Sequence, residues 1–384
     1  MTATGPRVLY LIDSLAVGGA ERSLVDMAPR LVALGIDLEV AVLVDRPGLG
    51  PDLTARGVPV HVIGGTWRGA QYVRLLGFLR SWRPDLLHTT LYESDVLGRL
   101  AAMPLGVPVV TTLATTPYGH EHLRESGVGR VPLRAAQLAD ALTARTVRRF
   151  HAVSHATAGA YVERLHLDPA KVQVIPRGRD QARLGRRTPE RRRAVRESLC
   201  IGRDDPMIVA AGRQEPQKGF DTLLEAMPAI LDVLPAATLL VAGREGRDTD
   251  RLRSIVEQCG LAGSVRLLGE RDDVPDLLSA ADVFVLSSHR EGLPGVVLEA
   301  MALESAIVAS DLPTVREATP SEDYAYLVPP GDRSALSAAV VEALTKPRRS
   351  AQLVSASRRR FEEEFDIEAV CATMADFYRR VLSG

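Results

Sequence analysis

Glu291 and Glu299 carry the most suggestive chemistry in the chain. They sit eight positions apart in the run SSHREGLPGVVLEAMALESAIVAS, residues 287–310. Just before it, Val283-Phe284-Val285-Leu286 is short, apolar and rich in strand-favouring residues, and reads as a buried strand. A polar loop with Glu291, Gly292 and Leu293 follows. Pro294 suits a first helical position, where its missing N–H costs nothing, and Gly295 leaves the adjacent backbone open to a ligand. The apolar helix beyond it holds one charge, Glu299. Strand, tight turn and buried helix in this order place the turn at the carboxyl edge of an open α/β sheet, where ligands bind. Free N–H groups near Leu293, Gly295 and Val296, with the helix dipole behind them, suit an anion such as a diphosphate. The two carboxylates can accept hydrogen bonds from sugar hydroxyls. A carboxylate in so apolar a helix is expensive unless paired, so the plain alternative is a salt-bridged helical Glu299 beside an exposed Glu291.

A second cluster is cationic. After the strand-like run Met207–Ala211 comes Gly212-Arg213-Gln214-Glu215-Pro216-Gln217-Lys218-Gly219. A planar guanidinium and a point-charge ammonium on one post-strand loop would neutralise a diphosphate, against the alternative of a structural ion pair. Nearer the start, Val8–Asp13 reads as a strand, Gly18-Gly19 as a tight loop, and Glu21 to about Leu34 as a helix. This glycine pair does not match the dinucleotide fingerprint. His88 ends a strand at the presumed ligand edge, and Thr115 and His120 lie in the unusual run LATTPYGHEHLRESG; a loop histidine without partners is as readily a solvated bystander.

The first of these runs resembles the E-x7-E signature of the family-four retaining glycosyltransferases, whose members commonly read EG-x-P-x-x-x-x-EAMA where this chain reads EGLPGVVLEAMA. The G-R-x4-K-G run is similar to the family's diphosphate grip, and Gly18, Gly19 and Glu21 match its GG-x-E loop. The resemblance implies that Arg213 and Lys218 hold the donor diphosphate, that Glu299 binds the ribose hydroxyls and Glu291 the donor sugar, and that Gly19, Arg271, Gly292, Leu293, Pro294 and Gly295 border the donor. It places Gly18, His88, Thr115 and His120 on the acceptor side. The chain departs from the family at Ala114, where members often carry a histidine, and at Glu304, where a glycine usually ends the helix. A non-glycine residue takes the left-handed backbone there at a cost of about 1 kcal/mol or more, so a locally different helix end is expected.

The elements needed to position these residues follow a β-α-β-α rhythm, which implies parallel, doubly wound sheets. Strands are expected at Leu38–Val44, Val58–Ile63, Leu86–His88, Val107–Thr112, Thr238–Ala242 and Val265–Leu268, and a basic amphipathic helix over Arg130–Phe150. At 384 residues the chain exceeds what one core usually supports. The resemblance implies the GT-B fold: an acceptor-side Rossmann-like domain over 1–180, a nucleotide-sugar domain over 206–366 facing it across a cleft, and a last helix, 367–384, returning to the first domain. The arginine-rich stretch 181–205 reads as a basic, solvated interdomain connection running into a basic helix.

A formal net charge of −1 gives no global case for nucleic acid as partner, and Cys200, Cys259 and Cys371 fit no zinc or redox spacing. Asp248-Thr249-Asp250 has the look of a metal-holding D-x-D, but acids at a helix start need no metal. No metal or other cofactor is expected. The implied partners are a nucleotide-diphosphate-sugar and a glycan, lipid-linked or small-molecule acceptor. The run after Arg7 is too short for a secretory core, and nothing approaches the ~20 apolar residues of a membrane helix. Cytoplasmic placement is expected, with contact at the inner face of the membrane through the basic helix as a further expectation. A nucleotide-sugar epimerase, a glycosidase using the two glutamates, and an inactive sugar-nucleotide-binding protein are the competing readings.

Overall fold

The computed structural model describes residues 5–16, 18–115, 118 and 129–383. The chain forms two compact units, Met1–Gly178 together with Asp366–Gly384, and Arg179–Phe365.

In the first unit seven strands lie in the order β3-β2-β1-β4-β5-β6-β7: β1 Arg7–Ile12, β2 Asp37–Val42, β3 Val60–Val62, β4 Leu86–Thr90, β5 Val109–Leu113, β6 Arg149–Ala152 and β7 Val172–Val174. All pairings are parallel. Helices cover both faces, so the central strands β4 and β5 are buried along their whole length, polar residues included. Successive side chains of β1 point to opposite faces: Val8, Tyr10 and Ile12 join a core with the helices Gly19–Ala33 and Ile367–Ser383. Leu9 and Leu11 face a second core with the helices Arg68–Trp82 and Tyr92–Ala102. The last helix inserts Cys371, Met374, Phe377, Tyr378 and Val381 into the first of these cores; burial raises the Cys371 thiol to about 12, which keeps it a packing group.

The second unit has six parallel strands in the order β10-β9-β8-β11-β12-β13: β8 Met207–Ala211, β9 Thr238–Ala242, β10 Val265–Gly269, β11 Val283–Leu286, β12 Ala306–Ser310 and β13 Tyr326–Val328. In each sheet the strand order reverses at the middle, between β1 and β4 and between β8 and β11. Crevices at the carboxyl ends of such strands are the natural ligand sites of open α/β sheets.

Two expectations are corrected. The basic helix stops at Ala144 and β6 begins at Arg149, so Arg130–Phe150 is not one helix. The stretch 181–205 is not a solvated connection but part of the second unit. Its helix Pro189–Ser198 lies on the helix Val274–Ala280, and Arg191 reaches Asp276 at 2.6 Å while Arg192 and Arg196 share Asp282 at 2.6 and 3.3 Å. Counting arginines missed that acids far along the chain neutralise them.

Candidate functional site

In the second unit, β8 and β11 pair at the sheet's centre, Ile208 beside Val283 and Val209 beside Phe284. The loops that leave their carboxyl ends are therefore neighbours, and hydrogen bonds lace them together. His289 N–H donates to Gln217 O at 2.8 Å, the Ser287 hydroxyl to Lys218 O at 3.1 Å, and Arg290 Nη2 to Gln217 Oε1 at 3.1 Å. Gly219 makes the approach possible: its φ is +59°, and a Cβ there would lie 2.2 Å from Ser287 O.

This lacing brings the two sequence motifs into one place. Lys218 Nζ sits 2.6 Å from Glu291 Oε1, and the Ser288 hydroxyl donates to the same oxygen at 2.7 Å. Both neighbours use Oε1, and an ammonium carries three donors, so the pair retains bonding capacity on each side. Arg213, two residues past the end of β8, is 52% exposed and faces Glu215 across 3.9 Å. Glu215 is meanwhile bound by Arg247 at 2.8 Å. Arg213 is thus a guanidinium held only loosely by its own loop.

The helix Gly295–Ala302 opens on this loop pair. It begins one residue later than expected, with Pro294 as the capping residue before it. A proline offers no side-chain acceptor, so no side chain caps the opening N–H groups, an arrangement that suits an anion. Leu293 is buried, which pins the turn. Glu299, one turn in, is bound by Arg179, Nε to Oε1 at 2.8 Å. This corrects the reading of Gly295: a Cβ there would fall 1.5 Å from Arg179 Nη2, so the glycine makes room for that guanidinium. It also makes Glu299 a paired carboxylate, which is how an apolar helix tolerates it.

Arg271, just past β10, is turned onto Asp273, Nε to Oδ1 at 2.7 Å and Nη2 to Oδ2 at 2.5 Å. This two-pronged bond holds the Asp273 carboxyl below its usual range. The aspartates of the D-x-D triplet face different surroundings: the Asp248 side chain is 6% exposed, that of Asp250 98%. Among the described residues no group of three His, Cys, Asp or Glu side chains is placed to hold a metal ion.

In the first unit, the Gly18-Gly19 loop lies between two charged groups. A Cβ on Gly18 would lie 2.4 Å from Glu21 Oε2, and one on Gly19 would lie 2.9 Å from Arg177 Nη1. Nearby, a cavity of about 40 Å³ is lined among others by Tyr10, Ser23, Thr90, Thr112, His151 and Arg177. That is room for a few waters, not for a sugar ring. Asp13, at the end of β1, accepts from Ser94 N–H at 2.8 Å and Ser94 Oγ at 2.6 Å, and burial raises its carboxyl.

The acceptor-side expectations fare unevenly. His88 does not end its strand: it lies in the middle of β4, fully buried. Its Nδ1 meets Tyr378 Oη and its Nε2 meets Thr112 Oγ1, each at 2.6 Å. It is a core histidine with both ring nitrogens occupied. Thr115 is exposed, and His120 lies outside the described residues. Sequence reasoning missed Arg177, Arg179 and Ser288. For the two arginines the signal was their place shortly after β7, at the carboxyl end of a strand of the first sheet; the surrounding arginines obscured it.

Comparisons with known proteins agree with the fold. The family described as Glycosyltransferase Family 4 matches residues 17–183, and that described as Glycosyl transferases group 1 matches residues 191–360. The chain is 30% identical over 374 residues to the 2-deoxystreptamine N-acetyl-D-glucosaminyltransferase of Streptomyces fradiae, covering 89% of this chain and 86% of that one. It is 28% identical over 398 residues to the D-inositol 3-phosphate glycosyltransferase of Thermobispora bispora, covering 95% and 90%. Its fold is similar to the crystal structure of Anabaena HepE in complex with UDP-glucose, with a TM-score of 0.87, 21% identity and coverage of 98% and 100%. The two parallel sheets, of seven and six strands, are those of the GT-B architecture. The chain belongs to the group 1, family 4 glycosyltransferases.

Proposed function

We propose that the chain moves a sugar from a uridine-diphosphate sugar to a hydroxyl of a small cyclitol acceptor, with retention at the anomeric carbon. The observation that carries this reading is the convergence, at the strand-order reversal of the second unit, of Arg213, Lys218, Glu291, Glu299 and the opening N–H groups of the helix Gly295–Ala302. In the transfer, the bond from the anomeric carbon to the diphosphate breaks as that to the acceptor oxygen forms on the same face of the ring, and the acceptor's hydroxyl proton passes to an oxygen of the departing diphosphate. The guanidinium, the ammonium and the helix start offset the charge that gathers on the departing phosphate. Glu291 accepts from the donor sugar's hydroxyls and Glu299 from those of the ribose, each through the oxygen its protein partner leaves open. The uridine and cyclitol assignments draw on HepE, whose structure contains UDP-glucose, and on relatives named for 2-deoxystreptamine and inositol 3-phosphate.

The test is product analysis: a panel of sugar nucleotides is incubated with cyclitol acceptors and the product's anomeric configuration is read by NMR. A new glycoside of the donor's own configuration is expected. An inverted product, or an epimerised donor with no glycoside, contradicts the reading. Turnover is expected to persist in excess chelator, because the charge is offset by side chains. Loss of turnover restored by magnesium or manganese would contradict that.

The chain's own surface supports a second partner. The helix Arg130–Ala144 exposes Val131, Leu138 and Leu142 in one stripe beside Arg130, Arg134 and Arg145, a pattern that suits an anionic bilayer surface. No helix among the described residues is long and apolar enough to cross a membrane. Peripheral contact predicts co-sedimentation with phosphatidylglycerol vesicles, abolished by salt and by Leu138→Asp. Equal recovery in the supernatant with phosphatidylglycerol and phosphatidylcholine vesicles contradicts it.

A further inference from the structure

We propose that Arg179 is a positioning residue that fixes the carboxylate of Glu299 and thereby sets how strongly the site prefers a ribonucleotide to its 2′-deoxy analogue. This rests on the reading of Glu299 as the acceptor of ribose hydroxyls.

The geometry is built for that task. Arg179 is 1% exposed, and its Nε–H donates to Glu299 Oε1 at 2.8 Å. The carboxylate itself keeps a side chain 14% open, so one oxygen is held from behind and the other is left for a ligand. The guanidinium lies where a side chain on Gly295 would otherwise sit, with Nη2 1.5 Å from that residue's notional Cβ. Helix and arginine therefore fit only together.

The arginine's backbone is equally fixed. Its N–H donates to Phe365 O at 2.9 Å. The next residue, Asp180, caps a short helix by accepting from Ala182 N at 3.0 Å and Arg183 N at 3.2 Å. A guanidinium projected from such a backbone has little freedom, and Nε–H is directional. A ribose diol presents two hydroxyls in a fixed relation. A carboxylate receives them well only if its plane is set beforehand, which is the gain of preorganisation. Without Arg179 the carboxylate of Glu299 is free to turn about its last bond, surrounded along the helix by buried Val297, Leu298, Ala300 and Met301.

The test uses the full chain and calorimetric titration with UDP and with 2′-deoxy-UDP. For the unaltered protein a ratio of affinities of about 10- to 100-fold is expected, the worth of one hydrogen bond to a charged group. Glu299→Ala should bring the ratio to within about threefold. Arg179→Ala should do the same, mainly by weakening UDP and not its deoxy analogue, with KM for the donor rising more than kcat falls. Gly295→Ala, which displaces the guanidinium while keeping its charge, should also lower the ratio, and serves if Arg179→Ala fails to fold. Arg179→Lys should give an intermediate ratio, since a point charge replaces the directed fork. If Glu299→Ala loses the ratio while Arg179→Ala and Gly295→Ala retain it, Arg179 is structural only and the proposal is overturned. An unchanged ratio in Glu299→Ala overturns the ribose assignment itself, and the proposal with it.

Discussion

Two imidazoles in the first unit are held in single tautomers by their neighbours. His151 Nε2 faces Ile175 O at 2.9 Å, an acceptor only, so that nitrogen carries the proton. Its Nδ1, 3.0 Å from Thr112 Oγ1, then accepts from the hydroxyl. The same Thr112 oxygen accepts from His88 Nε2–H, and His88 Nδ1 accepts from the Tyr378 hydroxyl. Each member has one role, and Tyr378→Phe leaves His88 Nδ1 without a donor. That should cost about 1–3 kcal/mol in denaturant unfolding, with donor affinity unchanged. Burial lowers both histidines, His151 to about 4 and His88 well below its usual 6.5 with the His151 charge adding to the effect. The unfolded chain then binds more protons than the folded one as pH falls from 6.5 toward 4, so this stability is present above 6.5 and lost below it. Asp95 runs the other way. Burial, opposed by Arg99 and reinforced by Asp140, raises it to about 8, so the folded chain holds a proton the unfolded one has released. Its contribution is present at low pH and lost as pH rises through about 8. Asp95→Asn should flatten the fall in melting temperature between pH 6.5 and 8; an unaltered slope would show that Asp95 is not the group titrating. Asp140, which grips buried Arg99 at 2.6 Å, should not tolerate the same change: Asp140→Asn strands a buried charge, at roughly 3–5 kcal/mol less whatever Asp95 recovers by ionising.

At the scale of the element, the helix Gly295–Ala302 shows a local rule kept by the wrong residue. Glu304 N–H bonds Met301 O at 3.3 Å and Ser305 N–H bonds Ala300 O at 3.0 Å, the pair of bonds that closes a helix over a left-handed residue. Glu304 takes that conformation, φ +55°, so the helix end does not depart from the glycine pattern as the sequence led one to expect. The bonds and the Arg187 Nη1 contact to Glu304 O at 3.0 Å hold it there. Glu304→Gly should therefore stabilise the chain by about 1 kcal/mol in chemical denaturation. A neutral or destabilising result would mean that the Glu304 side chain offsets its own strain. The opening of the same helix was read only in part: its position was legible to within a residue from Pro294 and Gly295, but the reason for the glycine was not. That reason is Arg179, which lies 116 positions earlier, and no local pattern encodes a packing partner at such distance.

At the scale of the molecule, the alternation of strands and helices was sufficient to read two parallel sheets, because fully buried strands announce themselves as short apolar runs. The place of the two motifs in the fold was legible for the same reason: they sit on loops that follow a strand at the sheet's carboxyl edge. His88 was misplaced because a polar residue inside a buried strand looks like the strand's end. The arginine run of 181–205 was misread because its counter-charges, Asp276 and Asp282, come from a later helix and the loop after it. On the proposed function the two motifs act together on the leaving diphosphate, and the most direct test is steady-state kinetics on Arg213→Ala, Lys218→Ala and the double variant with the donor that supports turnover. If both side chains stabilise charge that builds in the transition state, each change lowers kcat roughly 100- to 1000-fold, more than it raises KM. Arg213→Lys does not restore the rate, and the double loss is smaller than the product of the single ones because both groups act on one anion. Independent effects of at most a few-fold, or a loss of donor affinity with kcat intact, would contradict the account.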